Sequence, residues 1–184
     1  MKKSVLRTTF IALFAAIICA GCFIKIPIGV VPIVLQNILC ILCAVLLGGI
    51  WAGAPVALFL LAGLIGLPVY SGGSGGIAVW LGPTGGFLPG YLLGAIAAGF
   101  IAGKPCVEEK EITKKSAFRV ITAIIAGMII IYIPGIIRFL HWGSPAAMIP
   151  YIPGDVIKIA VAIPVALKLR PVVAQYLYED TDKA

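Results

Sequence analysis

Of 184 residues, 61% are hydrophobic and 11% charged, whereas a soluble domain carries roughly 25% charged residues. Such a surface is not covered in water, so the solvent implied is a bilayer. The formal charge of +7 would suit nucleic acid, but the basic residues gather between apolar runs and not in a patch interleaved with aromatics, which argues against that partner.

A bilayer-crossing helix needs ~20 predominantly apolar residues, and six runs fit. The first covers about 8–24. Its basic head and Ala20-Gly21-Cys22 imitate a signal sequence; an ordinary first helix is the expectation. Ala12, Ala16 and Ala20 recur on it at i, i+4, i+8, a small-residue stripe that allows close helix approach. The stripe serves either packing within the bundle or docking of a partner membrane subunit. The second run, 31–47, contains Gln36-Asn37. Adjacent amides point about 100° apart, so at most one faces a given site; the alternative is an interhelical hydrogen bond. Cys19-x2-Cys22 and Cys40-x2-Cys43 match a zinc spacing. All four lie in apolar runs with no polar shell apparent, so they read as small buried hydrophobes, and no metal is expected.

The third run covers 51–67. A long segment follows, with one glycine cluster at 72–76 around Ser74 and a second at Gly85-Gly86. Glycines such as Gly73 and Gly75 permit close backbone approach to a ligand. Tyr70 and Trp80 offer faces for an apolar ring, and Thr84 belongs to the stretch leading into the fourth run, 87–102. The fifth run covers 118–140. Arg138, near its outer end, either snorkels to the interface or binds a carboxylate with its planar fork. The sixth covers 155–176. Pro55, Pro134 and Pro164 fall inside spans, where neighbours satisfy the freed carbonyls. The expected architecture is an all-α membrane protein: one six-helix transmembrane domain over 1–184.

Basic residues prefer the cytoplasmic side. Lys2, Lys3 and Arg7 lie in the head. Lys104, Lys110, Lys114, Lys115 and Arg119 follow the fourth run, and Lys168, Arg170 and Lys183 end the chain. Six spans put all three groups on one face, with both termini cytoplasmic. The opposite connections, 25–29, 68–86 and 141–154, are nearly uncharged and rich in glycine, proline and aromatics. A long loop that is glycine-rich yet apolar suggests a lid over the bundle, so function is expected on the outer face.

Asp155 is the one acid outside two polar stretches (108–111 and 179–182). It opens an apolar helix, and Lys158 follows three residues later. A charge in or beside a membrane usually marks a substrate or ion site. A helix cap with an intrahelical partner also accounts for the acid. It accounts less well for Lys158, one turn into the bilayer. A carboxylate accepts N–H bonds and an ammonium donates to a carbonyl, so the pair fits a urea-like group. His141 is the sole histidine, no nucleophile–base pair is visible, and no phosphate-binding loop occurs. Neither enzyme activity nor a cofactor is expected, although an intramembrane enzyme using Asp155, Lys158 and His141 is a rival reading.

The run 31–37, the two-part glycine loop of 66–87 and Ile152-Pro153-Gly154-Asp155 with Lys158 together resemble the BioY family, the biotin-specific substrate-capture components of energy-coupling-factor transporters. The likeness spans nearly the whole chain. It implies a compact six-helix bundle in a bacterial or archaeal cell membrane, with an outward-facing biotin site built by the fourth to sixth helices and the loop before the fourth. It implies that Asp155 and Lys158 hold the ureido ring. The stripe on the first helix would dock a transmembrane coupling subunit driven by two ATPases. Ser74 and Leu88 stand where some members have asparagine and arginine, leaving Arg138 or loop amides for the biotin carboxylate. Capture of another vitamin, thiamine or riboflavin, and a ligand-free scaffold are the alternatives.

Overall fold

A computed structural model describes residues 3–26, 33–107, 113–141, 148–149 and 151–178. These form seven α-helices: α1 (Lys3–Ala20), α2 (Gln36–Leu47), α3 (Ala54–Leu64), α4 (Ile77–Leu81), α5 (Phe87–Ala102), α6 (Lys114–Phe139) and α7 (Ile152–Leu177). One two-stranded antiparallel ladder joins β1 (Lys25–Ile26) to β2 (Ile33–Val34), pairing Lys25 with Val34 and Ile26 with Ile33.

The helix boundaries depart from the apolar runs for local reasons. β-Branched Ile33 and Val34 favour extended backbone and pair as β2, so α2 starts at Gln36 and not at 31. The third run breaks into a 3₁₀ turn, Gly49–Trp51, and α3. Pro55 lies in the first turn of α3, where its missing N–H costs nothing. The run ends early because Gly66 takes φ 104°, open to glycine but not to a bulky side chain. The loop that follows carries α4, which hydrophobicity alone does not separate from its surroundings. Pro153 in the first turn lets α7 start at Ile152, so Asp155 lies in that first turn and is not the cap.

By length and composition, Lys3–Phe23 and Lys114–Phe139 are each long and apolar enough to cross a membrane. The apolar helices Gln36–Leu47 and Phe87–Ala102 are shorter. At 12 residues, α2 spans roughly 18 Å of a hydrocarbon core about 30 Å thick. It is the central helix, touching α1, α3, α5, α6 and α7, and ten of its residues are buried.

The closest packing joins α5 to α6. A Cβ on Gly94 would stand 2.6 Å from the Gly127 carbonyl oxygen, and one on Gly90 2.6 Å from that of Ile131. Bare glycine faces are what let two backbones approach this closely.

Where α2 and α5 end, Arg170 of α7 is 1% exposed. Its guanidinium donates to the carbonyls of Val45 (2.5 Å), Ala102 (3.1 Å) and Gly103 (3.3 Å). The sequence places Arg170 with the interfacial cations; the structure buries it instead, because helix C-terminal carbonyls lack intrahelical donors and attract a cation. Tyr178 adds a hydrogen bond to the Leu47 carbonyl at 2.9 Å. The Arg7 guanidinium lies 4.1 Å above the Trp51 ring, fastening the start of α1 to the same end of the bundle.

Candidate ligand-binding site

At the other end of α2, a cavity of about 190 Å³ opens between the helices and the glycine-rich loop. That is an order of magnitude more than a single water requires. Its wall combines Gln36 and Asn37 from α2 with Tyr70, Ser71, Ser74, Val79 and Thr84 from the loop region. Phe87, Leu88 and Tyr91 come from α5, Ile131 and Tyr132 from α6, and Asp155 and Lys158 from α7, with Val34, Met148 and Tyr151 completing it.

One pole of this cavity is charged. Lys158 Nζ lies 2.6 Å from Asp155 Oδ1, with side chains 11% and 9% exposed. Asn37 Nδ2 donates to the same oxygen at 3.1 Å, and the Tyr132 hydroxyl donates to Asp155 Oδ2 in a very short hydrogen bond. Lys158 also donates to the Val34 carbonyl (2.6 Å) and to Asn37 Oδ1 (3.3 Å). That oxygen accepts the Ile38 N–H as well, at 2.9 Å. A carboxylate offers about four lone-pair sites and an ammonium three protons. Three of the former and all of the latter are engaged. Burying two charges is costly unless each is paired and hydrogen-bonded, and this network meets that condition. The first-turn position of Asp155 adds the favourable end of the α7 dipole.

Both adjacent amides line the cavity, where one at most was expected, but their hydrogen bonds run to different partners. Asn37 faces the acid. Gln36 Nε2 donates to the carbonyls of Ile18 (3.2 Å) and Val69 (2.7 Å), tying the loop to the end of α1. Tyr70 touches the cavity but is only 1% exposed. Its hydroxyl donates to the Leu60 carbonyl at 2.6 Å and accepts Trp80 Nε1–H at 2.9 Å. Its ring meets Phe59 edge-on at 5.5 Å. Burial pushes the Tyr70 phenol up, and the hydrogen bond from Trp80 opposes that. Tyr70 and Trp80 therefore brace the loop.

Six of the residues expected at the site line the cavity: Asp155, Lys158, Ser74, Tyr70, Thr84 and Gln36. Gly73, Gly75, Trp80 and Arg138 are not in its wall. Gly73, at φ 73°, shapes the turn that Tyr70 and Ser74 close as an antiparallel bridge. Arg138 donates through Nε to the Gly82 carbonyl at 3.4 Å and through a terminal nitrogen to that of Leu81, holding the last carbonyls of α4. His141 lies exposed beyond α6 and contacts the Ile137 carbonyl. Ala12, Ala16 and Ala20 are exposed on α1. Cys22, Cys40 and Cys43 are buried and Cys19 partly so. Among the described residues no three His, Cys, Asp or Glu side chains converge.

The wall residues missed from sequence are chiefly Asn37, Tyr132, Tyr91 and Ser71. Tyr132 carried a usable signal, as the one hydroxyl in Met-Ile-Ile-Ile-Tyr-Ile-Pro (128–134). Asn37 stood beside Gln36 with equal claim.

A profile of the BioY family matches residues 1–175. The chain belongs to the BioY family. It is 35% identical over 164 residues to the biotin transporter BioY of Thermotoga maritima, covering 86% of this chain and 92% of that protein. With the biotin transporter BioY of Rhodobacter capsulatus it shares 38% identity over 173 residues, covering 84% and 88%. Among solved structures it is similar to the S-component for biotin from an ECF-type ABC transporter. That match has a TM-score of 0.77 and 32% identity, and covers 91% of this chain and 92% of the other. The predominantly helical architecture of this BioY-family chain is thus shared with that S-component.

Proposed function

We propose that the chain is the biotin-capturing membrane subunit of an energy-coupling-factor transporter. It binds biotin from the outer face and passes it inward together with a transmembrane coupling subunit and two ATPases. It performs no covalent chemistry. The observation that carries this reading is the Asp155–Lys158 pair at the cavity wall. A carboxylate that accepts N–H and an ammonium that donates to a carbonyl, 2.6 Å apart, complement the two N–H groups and single C=O of a ureido ring once the ligand displaces one acceptor now held by Lys158 and one donor now held by Asp155. Apolar Leu88, Ile131 and Met148 in the same wall suit the rest of a bicyclic ring.

In this reading α1, α2, α3, α5, α6 and α7 cross the cell membrane, with the Arg170 end and both termini cytoplasmic. The short helices cross together with the turns beside them. Ser74, Thr84, Gln36 and Tyr70 contact or frame the ligand; Gly73, Gly75, Trp80 and Arg138 shape the loop around it. The exposed Ala12, Ala16 and Ala20 stripe receives the coupling subunit.

The test is direct. Native mass spectrometry of the purified protein is expected to show one biotin bound, and calorimetry of Asp155→Ala to show loss of tight binding with the fold intact. Near-wild-type affinity in that variant defeats the site. Binding of thiamine or riboflavin in place of biotin defeats the ligand.

A further inference from the structure

The charged pole of the cavity is nearly shut off from solvent: Asp155 is 6% exposed and the Lys158 side chain 11%. A ligand reaches it only when part of the wall moves. The two halves of the glycine-rich loop are held differently. The first half is fixed to the ends of α1, α2 and α3. The Gly72 N–H donates to the Cys22 carbonyl at 3.0 Å, and the Gly76 N–H to that of Gly63 at 2.7 Å. Gln36 and Tyr70 add the bonds to Val69 and Leu60. The Tyr70 ring also lies on the bare face of Gly63, where a Cβ would stand 2.1 Å from its Cζ. The second half, α4 and the turn after it, is tied to α6. Arg138 donates to the Leu81 and Gly82 carbonyls, and a Cβ on Gly86 would stand 2.3 Å from the Pro134 carbonyl oxygen. One side-chain bond, from Trp80 Nε1–H to the Tyr70 hydroxyl at 2.9 Å, links α4 to the fixed half.

The outer end of α6 gathers three sides of the cavity mouth. Gly135 seats the Phe87 ring, 2.5 Å from where a Cβ would stand. Arg138 holds α4, and Phe139 packs with Met148 and Tyr151. Phe87, Met148 and Tyr151 all belong to the wall. This end begins at Pro134, inside the helix. Proline gives no N–H to the Ile130 carbonyl and its ring crowds that oxygen, so a helix bends most readily there. Inward of Pro134, the Gly127 and Ile131 carbonyls lie against the bare faces of Gly94 and Gly90 and fix α6 to α5. The start of α5 has its own Pro89-Gly90 at the same level, since a Cβ on Gly90 would stand 3.1 Å from Pro134 Cγ. We propose that residues 134–139 of α6 are the moving element of an outer gate. The turn pivots at Pro134, and Arg138 carries α4 with it to open and close the cavity. Arg138 is then a positioning residue that holds the wall and not the ligand. For the identity of the ligand this rests on the function proposed above.

The experiment compares wild type, Arg138→Met and Pro134→Ala, each purified in detergent. Association and dissociation of biotin are followed by stopped-flow tryptophan fluorescence. Backbone hydrogen exchange of residues 77–82 is measured without ligand. Arg138→Met frees α4, so both rate constants should rise, by about tenfold for the loss of a hydrogen bond from a charged group. Pro134→Ala restores a backbone hydrogen bond and stiffens the pivot, so both should fall, by about fivefold. A gate moves the two rates together, whereas loss of a ligand contact raises dissociation and leaves association nearly constant. Exchange in 77–82 should quicken in Arg138→Met. It should slow in Pro134→Ala, although that substitution leaves Arg138 and α4 untouched.

Faster dissociation without faster association in Arg138→Met overturns the gate. Wild-type rates or wild-type exchange in Pro134→Ala overturn the pivot. A wild type that binds no biotin overturns the proposed function instead. The exchange measurement then decides the pivot alone: slower exchange in Pro134→Ala upholds it and unchanged exchange ends it.

Discussion

Asp155 and Lys158 are each other's partner, yet neither is held by the other alone. Asn37 touches both, Tyr132 holds the second carboxylate oxygen, and the Val34 carbonyl takes a lysine proton. Removing one member of such a pair strands a buried charge, which costs about 3–5 kcal/mol, whereas replacing both by neutral groups costs less. Lys158→Met is therefore expected to lower the detergent melting temperature more than the double variant Asp155→Asn/Lys158→Met. Both should lose biotin binding. A double variant less stable than Lys158→Met would show that the two charges contribute independently. At this scale the sequence was partly legible. An acid alone in an apolar segment announces itself, and its lysine is found by counting one turn. Asn37 and Tyr132 were not legible in the same way. Whether a helical side chain meets Asp155 depends on how α2 and α6 are rotated against α7, and no local pattern records that rotation.

Within the helices, glycine decides what touches. The bare faces of Gly90 and Gly94 on α5 meet the Ile131 and Gly127 carbonyls of α6, bringing Leu88 and Tyr91 to the same cavity as Ile131 and Tyr132. Gly94→Leu is expected to force these helices apart and reduce folded yield and melting temperature. Leu93→Ala, on the exposed face, should change stability by less than about 0.5 kcal/mol. Equal effects from the two would show that the helices are not held by this contact. Element existence was readable from apolar runs, since each of the six predicted runs overlaps one of α1, α2, α3, α5, α6 and α7. The ends were less so. They follow proline at the first turns of α3 and α7 and left-handed glycine at Gly66. The 3₁₀ turn at Gly49–Trp51 and the five-residue α4 lie below what hydrophobic periodicity resolves.

For the molecule as a whole, the proposed topology puts Cys106, the exposed cysteine of the α5–α6 connection, in the cytoplasm. A membrane-impermeant thiol reagent is expected to label it in inside-out vesicles and not in right-side-out ones. Labelling from the outside would invert the arrangement and move the ligand cavity to the wrong face. The charge pattern suggests this orientation because cations near a bilayer obey one rule. The burial of Arg170 was not legible in the sequence, because packing against α2 and α5 is a property of the assembled bundle.

Arg170 carries a consequence for the resting cell. It sits twelve residues beyond Lys158, about 18 Å along α7, and occupies the three carbonyls at the far end of the helices that line the hollow. A polar pocket sunk in a bilayer is a potential leak for protons and small ions. Arg170 stands outside the cavity wall, yet its three bonds close the far end of the bundle, and its positive charge there opposes the passage of other cations.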